Sequence, residues 1–186
     1  MIRTLPGTTV ETDLSRDDAA EALLSPLFLA GGLMLSQVAQ LTGLEPYVIQ
    51  NWVKRGFVSP PVNKRYSKRQ FCRIATINLL KDSLRLDQIT RLLTYLNGHL
   101  DDEADDLIDD FHLYTYITRL IFQVERSPLA GREQWRQWCE QVLADYAEPY
   151  PGARERVLRG LQVIVTAYTA ARLKGRAERM LTGLDL

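Results

Sequence analysis

Two short amphipathic segments separated by a tight turn constrain the fold of this chain more than any other feature of its sequence. The segment SQVAQLTG begins with Ser36, which suits a helix N-cap, and ends with Gly43, which is typical of a helix end. Pro46 then suits the first position of a second helix, which Gly56 closes. Two short helices joined by a three-residue turn are typical of the helix-turn-helix motif. We therefore expect this motif over residues 36–56.

The second of these helices, which contains IQNWVKRG, has two chemically different faces. One face is apolar and carries Val48, Ile49, Trp52 and Val53. The other face carries a phenol, two amides and a cation, from Tyr47, Gln50, Asn51 and Lys54. Asn and Gln are mediocre helix formers, but each can pair bidentately with adenine in the major groove of DNA. A merely solvated face is the alternative for the helix taken alone, and its sequence context favours a DNA-binding face.

The residues after this helix predict a wing and a further helix. Phe57-Val58 and Lys64-Arg65-Tyr66 flank a proline-rich loop, as in a small β-hairpin, and Ser67 with Gln70 forms a capping box that opens the next helix. Residues 45–95 carry ten basic and three acidic side chains, although the net charge of the whole chain is zero. Such a local excess of positive charge indicates a polyanionic partner.

The pattern LSQVAQLTGLEPYVIQNWVKRGFVSPP…KRYSKRQFCRI…LRLDQITRLL, within residues 34–97, resembles the N-terminal domain of MerR-type winged helix-turn-helix transcription regulators. Through LMLSQVAQLTGL, IQNWVKRGFV and YLNG it is more similar still to DUF1836, a bacterial domain-of-unknown-function family grouped with the MerR-like proteins. The chain departs from the MerR pattern in its shorter wing and in both recognition positions. It also lacks the long single dimerisation helix after Gly98.

The MerR resemblance implies which residues contact double-stranded DNA. Gln50 and Asn51 occupy the positions that face the bases, and Arg65 and Tyr66 match the pair in the wing. Trp52 matches a further aromatic position and either packs in the core or contacts DNA. The other implied contacts, one tyrosine and five cations, are Tyr47, Lys54, Arg55, Lys64, Lys68 and Arg69.

The whole chain is predicted to be all-α with one small β-hairpin, because no other segment alternates as a strand should. Its three parts are an N-terminal arm and short helix, the winged helix-turn-helix and a helical regulatory or dimerisation domain, at residues 1–32, 33–98 and 99–186. Residues 1–12 have no periodicity and predict a loose arm. Ser15 is expected to cap a helix that stops near Pro26.

The C-terminal part is predicted to mediate self-association. Residues 153–181 predict a single helix roughly 40 Å long, and its centre is apolar nearly all round. Such a helix must be enclosed by its own domain or by a second copy, so we expect a homodimer through the C-terminal helices. Trp135, Trp138 and Tyr146 form a stripe more typical of a core than of an effector pocket. A small-molecule effector of unknown identity is left open.

The acidic run DDEADDLIDD, residues 101–110, fails as an EF-hand, because Asp106 stands where glycine is required and His112 where glutamate is required. Acids that open a helix, together with a polar linker, are the favoured interpretation. Cys72 and Cys139 have no CxxC partner, which favours buried thiols over a redox sensor.

The sequence has no Ser/His/Asp set, glycine-rich phosphate loop or HExxH motif, so we expect no enzyme activity, cofactor or metal. Its longest apolar run is too short and interrupted to cross a membrane, which predicts a cytoplasmic location. We expect a sequence-specific DNA-binding transcriptional regulator that acts as a homodimer on double-stranded DNA. The alternative is a helical protein-interaction adaptor that keeps the winged scaffold without binding DNA.

Overall fold

A computed structural model describes residues 2–100, 102, 105–127 and 130–183 of the chain. Its helices are α1 (Ala19–Phe28), α2 (Leu35–Thr42), α3 (Pro46–Lys54), α4 (Lys68–Leu80), α5 (Leu86–Asn97), α6 (Asp110–Arg126), α7 (Arg132–Val142) and α8 (Ala153–Thr182). Its strands are β1 (Ile2–Thr4), β2 (Glu11–Asp13), β3 (Leu33–Met34) and β4 (Arg65–Tyr66). The predicted all-α class with a small hairpin is confirmed. Every helix in the described part of the chain is too short or too polar to cross a lipid bilayer.

The N-terminal segment is an ordered hairpin, so the predicted loose arm is wrong. Strands β1 and β2 pair antiparallel, and Leu5 between them is fully buried. Gly7 has φ 69°, and a side chain there would collide with the backbone carbonyl of Ala75 in α4. Asn78 of α4 donates hydrogen bonds to the carbonyls of Gly7 and Thr42, both at 2.9 Å. These long-range contacts stabilise strands of three residues, which are too short to show a period in the sequence.

Helix α1 begins and ends later than predicted. Asp18 precedes its first turn, whereas the N–H of Ser15 donates to Asp13 Oδ1 at 3.0 Å in the preceding turn. Pro26 lies inside the helix, which continues to Phe28. The helix continues because Pro26, which has no N–H, removes only one hydrogen bond. That bond would have been accepted by the carbonyl of Ala22, an exposed residue.

The two helices of the predicted helix-turn-helix form as α2 and α3. Gly43 ends α2 in the left-handed conformation, with φ 67°, and Pro46 occupies the first turn of α3. The predicted Ser36 cap is wrong, because the extended β3 strand carries the chain to Met34 and α2 begins at Leu35. The N–H of Met34 is instead bonded to the Gln37 side chain at 2.8 Å.

The wing is a hairpin, but its strand β4 does not pair with Phe57-Val58, the segment expected from the sequence. Its tip is a two-residue turn in which Asn63 and Lys64 have φ 50° and 62°. The backbones of Val62 and Arg65 exchange hydrogen bonds of 3.1 and 2.9 Å across this turn. Strand β4 then pairs with β3, ahead of α2, whereas Val58 is buried in the core. The wing therefore joins both ends of the helix-turn-helix.

Helix α4 occupies the centre of the molecule, and its neighbour α6 covers one side of it. Buried residues from α4, α5, α6, α7 and α8 belong to one continuous hydrophobic cluster. Leu96 of α5 packs so closely on Gly160 of α8 that any side chain at position 160 would overlap it. The three-part division of the chain stays a prediction, but residues from both sides of the boundary predicted at position 98 share this core.

The last helix is continuous, as predicted. At 1.5 Å per residue, the 30 residues of α8 extend about 45 Å. Its buried residues all lie between Ala153 and Ala167. In its second half, Leu173, Met180 and Leu181 are 62%, 64% and 57% exposed. The distal half of α8 therefore carries apolar side chains that its own chain leaves uncovered.

Candidate nucleic-acid interface

Helix α3 turns its polar face outward. Ile49 and Trp52 fix the opposite face in the core, at 0% and 3% exposure, which assigns Trp52 to core packing. Apart from Pro46 at its start, its exposed residues are the four predicted from helical spacing, Tyr47, Gln50, Asn51 and Lys54. The amides are thus available to an external partner, and the apolar side sets the rotation of the helix.

The cations at the end of α3 and at the wing tip are also exposed. The guanidinium of Arg55 lies 4.7 Å from the centre of the Phe57 ring, a distance at which the cation and the ring attract each other. Lys64 stands at the apex of the wing turn. Arg65 donates from Nη1 to the carbonyl oxygen of Gly32 at 2.9 Å, which fixes its guanidinium beside β3.

Three of the ten predicted contacts are engaged by other residues of the protein. Tyr66 is 3% exposed and packs in the core, so it has almost no surface to offer to DNA. Lys68 places Nζ 3.5 Å from the centre of the Phe111 ring in α6. Arg69 pairs with Asp106, with Nη2 and Oδ2 2.9 Å apart, and its side chain is only 20% exposed. These contacts reduce the cationic surface that the sequence predicts.

The acidic run provides a helix cap and an ion-pair partner. Asp109 caps α6, as predicted for acids that open a helix, and accepts hydrogen bonds from the backbone N–H groups of Phe111 and His112 at 2.8 and 3.1 Å. Asp110 lies 3.4 Å from both Arg69 and Arg73 of α4. Burial raises the pKa of Asp110, and the two guanidinium groups oppose that rise. Part of the segment predicted to be a polar linker therefore takes part in a buried contact between α4 and α6.

A buried amide positions the wing loop relative to α4. Gln70 is 8% exposed and donates from Nε2 to the carbonyl oxygens of Ser59 and Pro60, both at 2.9 Å. Its Oε1 accepts the N–H of Ser67 at 2.7 Å, which completes the predicted capping box. A cavity of about 640 Å³ lies between the wing and the first turn of α4, with Arg65 and Lys68 among its lining residues. It gives this side of the molecule a concave cationic surface.

Most of the remaining candidate residues lie in the interior. Cys72 and Cys139 are buried free thiols, as expected. Burial raises the pKa of Cys72 well above its usual value and that of Cys139 to about 12, so both stay protonated at neutral pH. Trp138 is buried, whereas Trp135 is partly exposed. Among the residues that the structure describes, no three His, Cys, Asp or Glu side chains converge as a metal site would require.

Comparison with known protein families agrees with part of the resemblance. Residues 31–117 match the model of a family described as a domain of unknown function, DUF1836. The matched segment begins just before β3 and ends within α6, so it includes the wing, α3 and the Arg69–Asp110 contact. No curated protein and no solved structure matches the chain. Similarity to the MerR-type regulators stays a prediction.

Proposed function

We propose that this chain is a sequence-specific, double-stranded DNA-binding transcriptional regulator of MerR-like type, in which α3 enters the major groove. The observation that carries the proposal is the outward orientation of Gln50 and Asn51 on a helix anchored by Trp52. Exposed amides on a short helix beside a cationic wing have the chemistry needed to bind base edges. The match to a domain of unknown function is compatible with this proposal and assigns no activity.

The proposal divides the exposed residues into two roles. Gln50 and Asn51 form hydrogen bonds with base edges and supply sequence preference, with Tyr47 beside them. Phosphate contacts come from the four exposed cations of α3 and the wing, which are Lys54, Arg55, Lys64 and Arg65. With about four phosphate contacts, the logarithm of affinity should fall against the logarithm of salt concentration with a slope of about −4.

A homodimer completes the proposal. One helix-turn-helix covers a single half-site, and two copies supply the affinity and specificity that an operator requires. The uncovered apolar residues of distal α8, Leu173, Met180 and Leu181, are candidates for the contact between copies. A closed two-fold pair would bury the same patch on both chains.

Selection of bound duplexes from a random DNA pool, with the full chain and at two salt concentrations, tests this function. We expect one motif to be enriched at both concentrations, arranged as two half-sites. A pool without any enriched motif at either salt concentration would refute sequence-specific binding.

The second candidate is a protein-interaction adaptor built on the same scaffold. It is favoured by the contacts that Tyr66, Lys68 and Arg69 make within the protein. A DNA-binding surface binds phosphates more strongly when its cations are free to contact them. The two candidates differ in dilute buffer, where nonspecific DNA binding is strongest. An adaptor should ignore all duplexes under that condition, whereas the proposed regulator should bind all of them weakly.

A further inference from the structure

The C-terminal half contains an open cleft that the proposed DNA-binding function does not use. It lies between the start of α7, the middle of α8 and the turn that joins α4 to α5, and its volume is about 690 Å³. This volume lies within the range typical of small-molecule sites. We call it the α7–α8 cleft and define it by Leu84, Arg132, Trp135, Arg159, Val163 and Ala170, which line it with five other residues.

The fold leaves this space open because α8 carries small side chains where it passes the first turns of α7. Ala167 and Ala170 line the cleft, whereas the larger Trp138 and Val142, one and two turns after Trp135 on α7, are buried. Val163, which is 45% exposed, and Trp135, which is partly exposed, both line the opening. A lining that combines an aromatic ring with aliphatic side chains suits a flat apolar group.

The charged residues that line the cleft are both cationic. Arg132 and Arg159 line it, and none of its described lining residues is acidic. Arg159 forms an ion pair with Glu155, in which Nε and Oε1 lie 3.0 Å apart. Arg132 forms no ion pair with any residue in the described part of the chain, and it lies one helical turn before Trp135. A guanidinium one helical turn from an indole ring is suited to a carboxylate attached to an aromatic ring.

We propose that the α7–α8 cleft binds a small aromatic carboxylate, with its ring against Trp135 and its carboxylate at Arg132. This proposal is independent of DNA binding, because it concerns residues far along the chain from α3 and the wing. The apolar lining supplies most of the contact area and the guanidinium supplies the preference for an anion.

Calorimetric titration of the full chain with two matched compounds tests the proposal. Naphthalene-2-carboxylate is the anionic probe, and naphthalene-2-carboxamide is its uncharged counterpart. We expect one carboxylate per chain, bound about tenfold or more tightly than the amide, as one charge-assisted contact would give. Failure of the carboxylate to bind at millimolar concentration, or equal binding of both compounds, would overturn the proposal.

Three variants test whether the two compounds bind in the α7–α8 cleft. Arg132→Gln should reduce carboxylate binding to the level of the amide, and Ala170→Phe should weaken both compounds by filling the space. Arg154→Gln, a change of the same type at a partly exposed α8 arginine outside the cleft lining, should leave both affinities unchanged. Circular dichroism and thermal melting check that each variant folds, and Trp135→Ala replaces any variant that does not.

Two further outcomes would overturn the proposal. Unchanged binding by folded Ala170→Phe or Trp135→Ala would place the probe elsewhere on the protein. Sedimentation equilibrium of the unliganded chain provides the second check. A dimer that Trp135→Ala or Ala170→Phe dissociates would show that a second copy occupies the cleft.

Discussion

Arg73 of α4 and Asp110 of α6 form an ion pair in the interior, with Nη1 and Oδ1 3.4 Å apart and side chains 4% and 2% exposed. Arg73 also donates from Nε to the carbonyl oxygen of Phe57 at 2.8 Å, directly after α3 and its terminal turn. One buried pair therefore connects the end of the helix-turn-helix to the first helix beyond the acidic run. Both residues lie within the segment that matches the family model.

Asp110→Ala should lower the free energy of unfolding by about 3–5 kcal/mol, because it removes the carboxylate from two guanidinium groups in the interior. Urea denaturation followed by circular dichroism measures the change. Asp87→Ala, which removes an exposed partner of Arg85 on α5, is the matched control and should shift the urea midpoint little. Equal shifts for the two variants would show that the buried pair has no special role in stability.

The pair of His99 and Asp105 should make stability depend on pH. The Asp105 carboxylate accepts a hydrogen bond from the His99 ring, with Nδ1 and Oδ2 2.7 Å apart, and this bond raises the pKa of His99. Because the folded state holds the proton more tightly, the stabilisation is complete below about pH 6.5 and is lost as pH rises through the higher folded pKa. The difference in melting temperature between wild type and His99→Gln should therefore shrink from pH 6 to pH 9. A difference that is constant over this range would contradict the prediction.

Gln50→Ala combined with Asn51→Ala should weaken binding to the selected DNA motif by about 1–3 kcal/mol for each bidentate pair that is lost. Binding to unrelated duplexes should stay unchanged, since phosphate contacts carry no sequence information. Fluorescence anisotropy with both duplex types measures the two affinities. Gln141→Ala, an exposed glutamine of α7, serves as control. Equal losses on both duplexes would show that α3 does not distinguish sequences.

Lys54→Ala and Arg65→Ala should each weaken binding to every duplex and reduce the steepness of the salt dependence by about one unit. Titrations at several salt concentrations give this slope. Lys81→Ala, at the C-terminal end of α4, is the matched cation control and should leave the slope unchanged. If Arg65→Ala leaves affinity unaltered on all sequences, the wing does not contact DNA.

Leu173→Asp with Met180→Asp should convert the proposed homodimer into a monomer, because charges would replace the apolar residues of distal α8 at the contact. Sedimentation equilibrium at micromolar concentrations measures the state of association. Tyr150→Asp changes a 45% exposed aromatic residue outside the helices and should leave the dimer intact. A wild-type chain that sediments as a monomer at these concentrations would rule out the proposed contact.

The sequence by itself determined the features that depend on neighbouring residues. The 3.6-residue period of α3 predicted that Ile49 lies on the apolar face and Gln50 on the polar face, because helix geometry fixes which residues share a face. The Ser67–Gln70 capping box spans three residues and was predicted for the same reason. Gly43 was placed correctly at a helix end because its left-handed backbone is a local requirement.

Only the tertiary structure decided which of the predicted surface cations remain exposed. Arg69 and Asp110 are 41 positions apart, and no local pattern indicates that α6 would bring a carboxylate to this arginine. Burial of Tyr66 likewise depends on the pairing of β4 with β3, which closes a separation of more than 30 residues. The N-terminal hairpin and the α7–α8 cleft have the same origin, since both depend on contacts between distant elements. Local geometry thus oriented the candidate DNA-binding helix, and long-range packing set how much charge surrounds it.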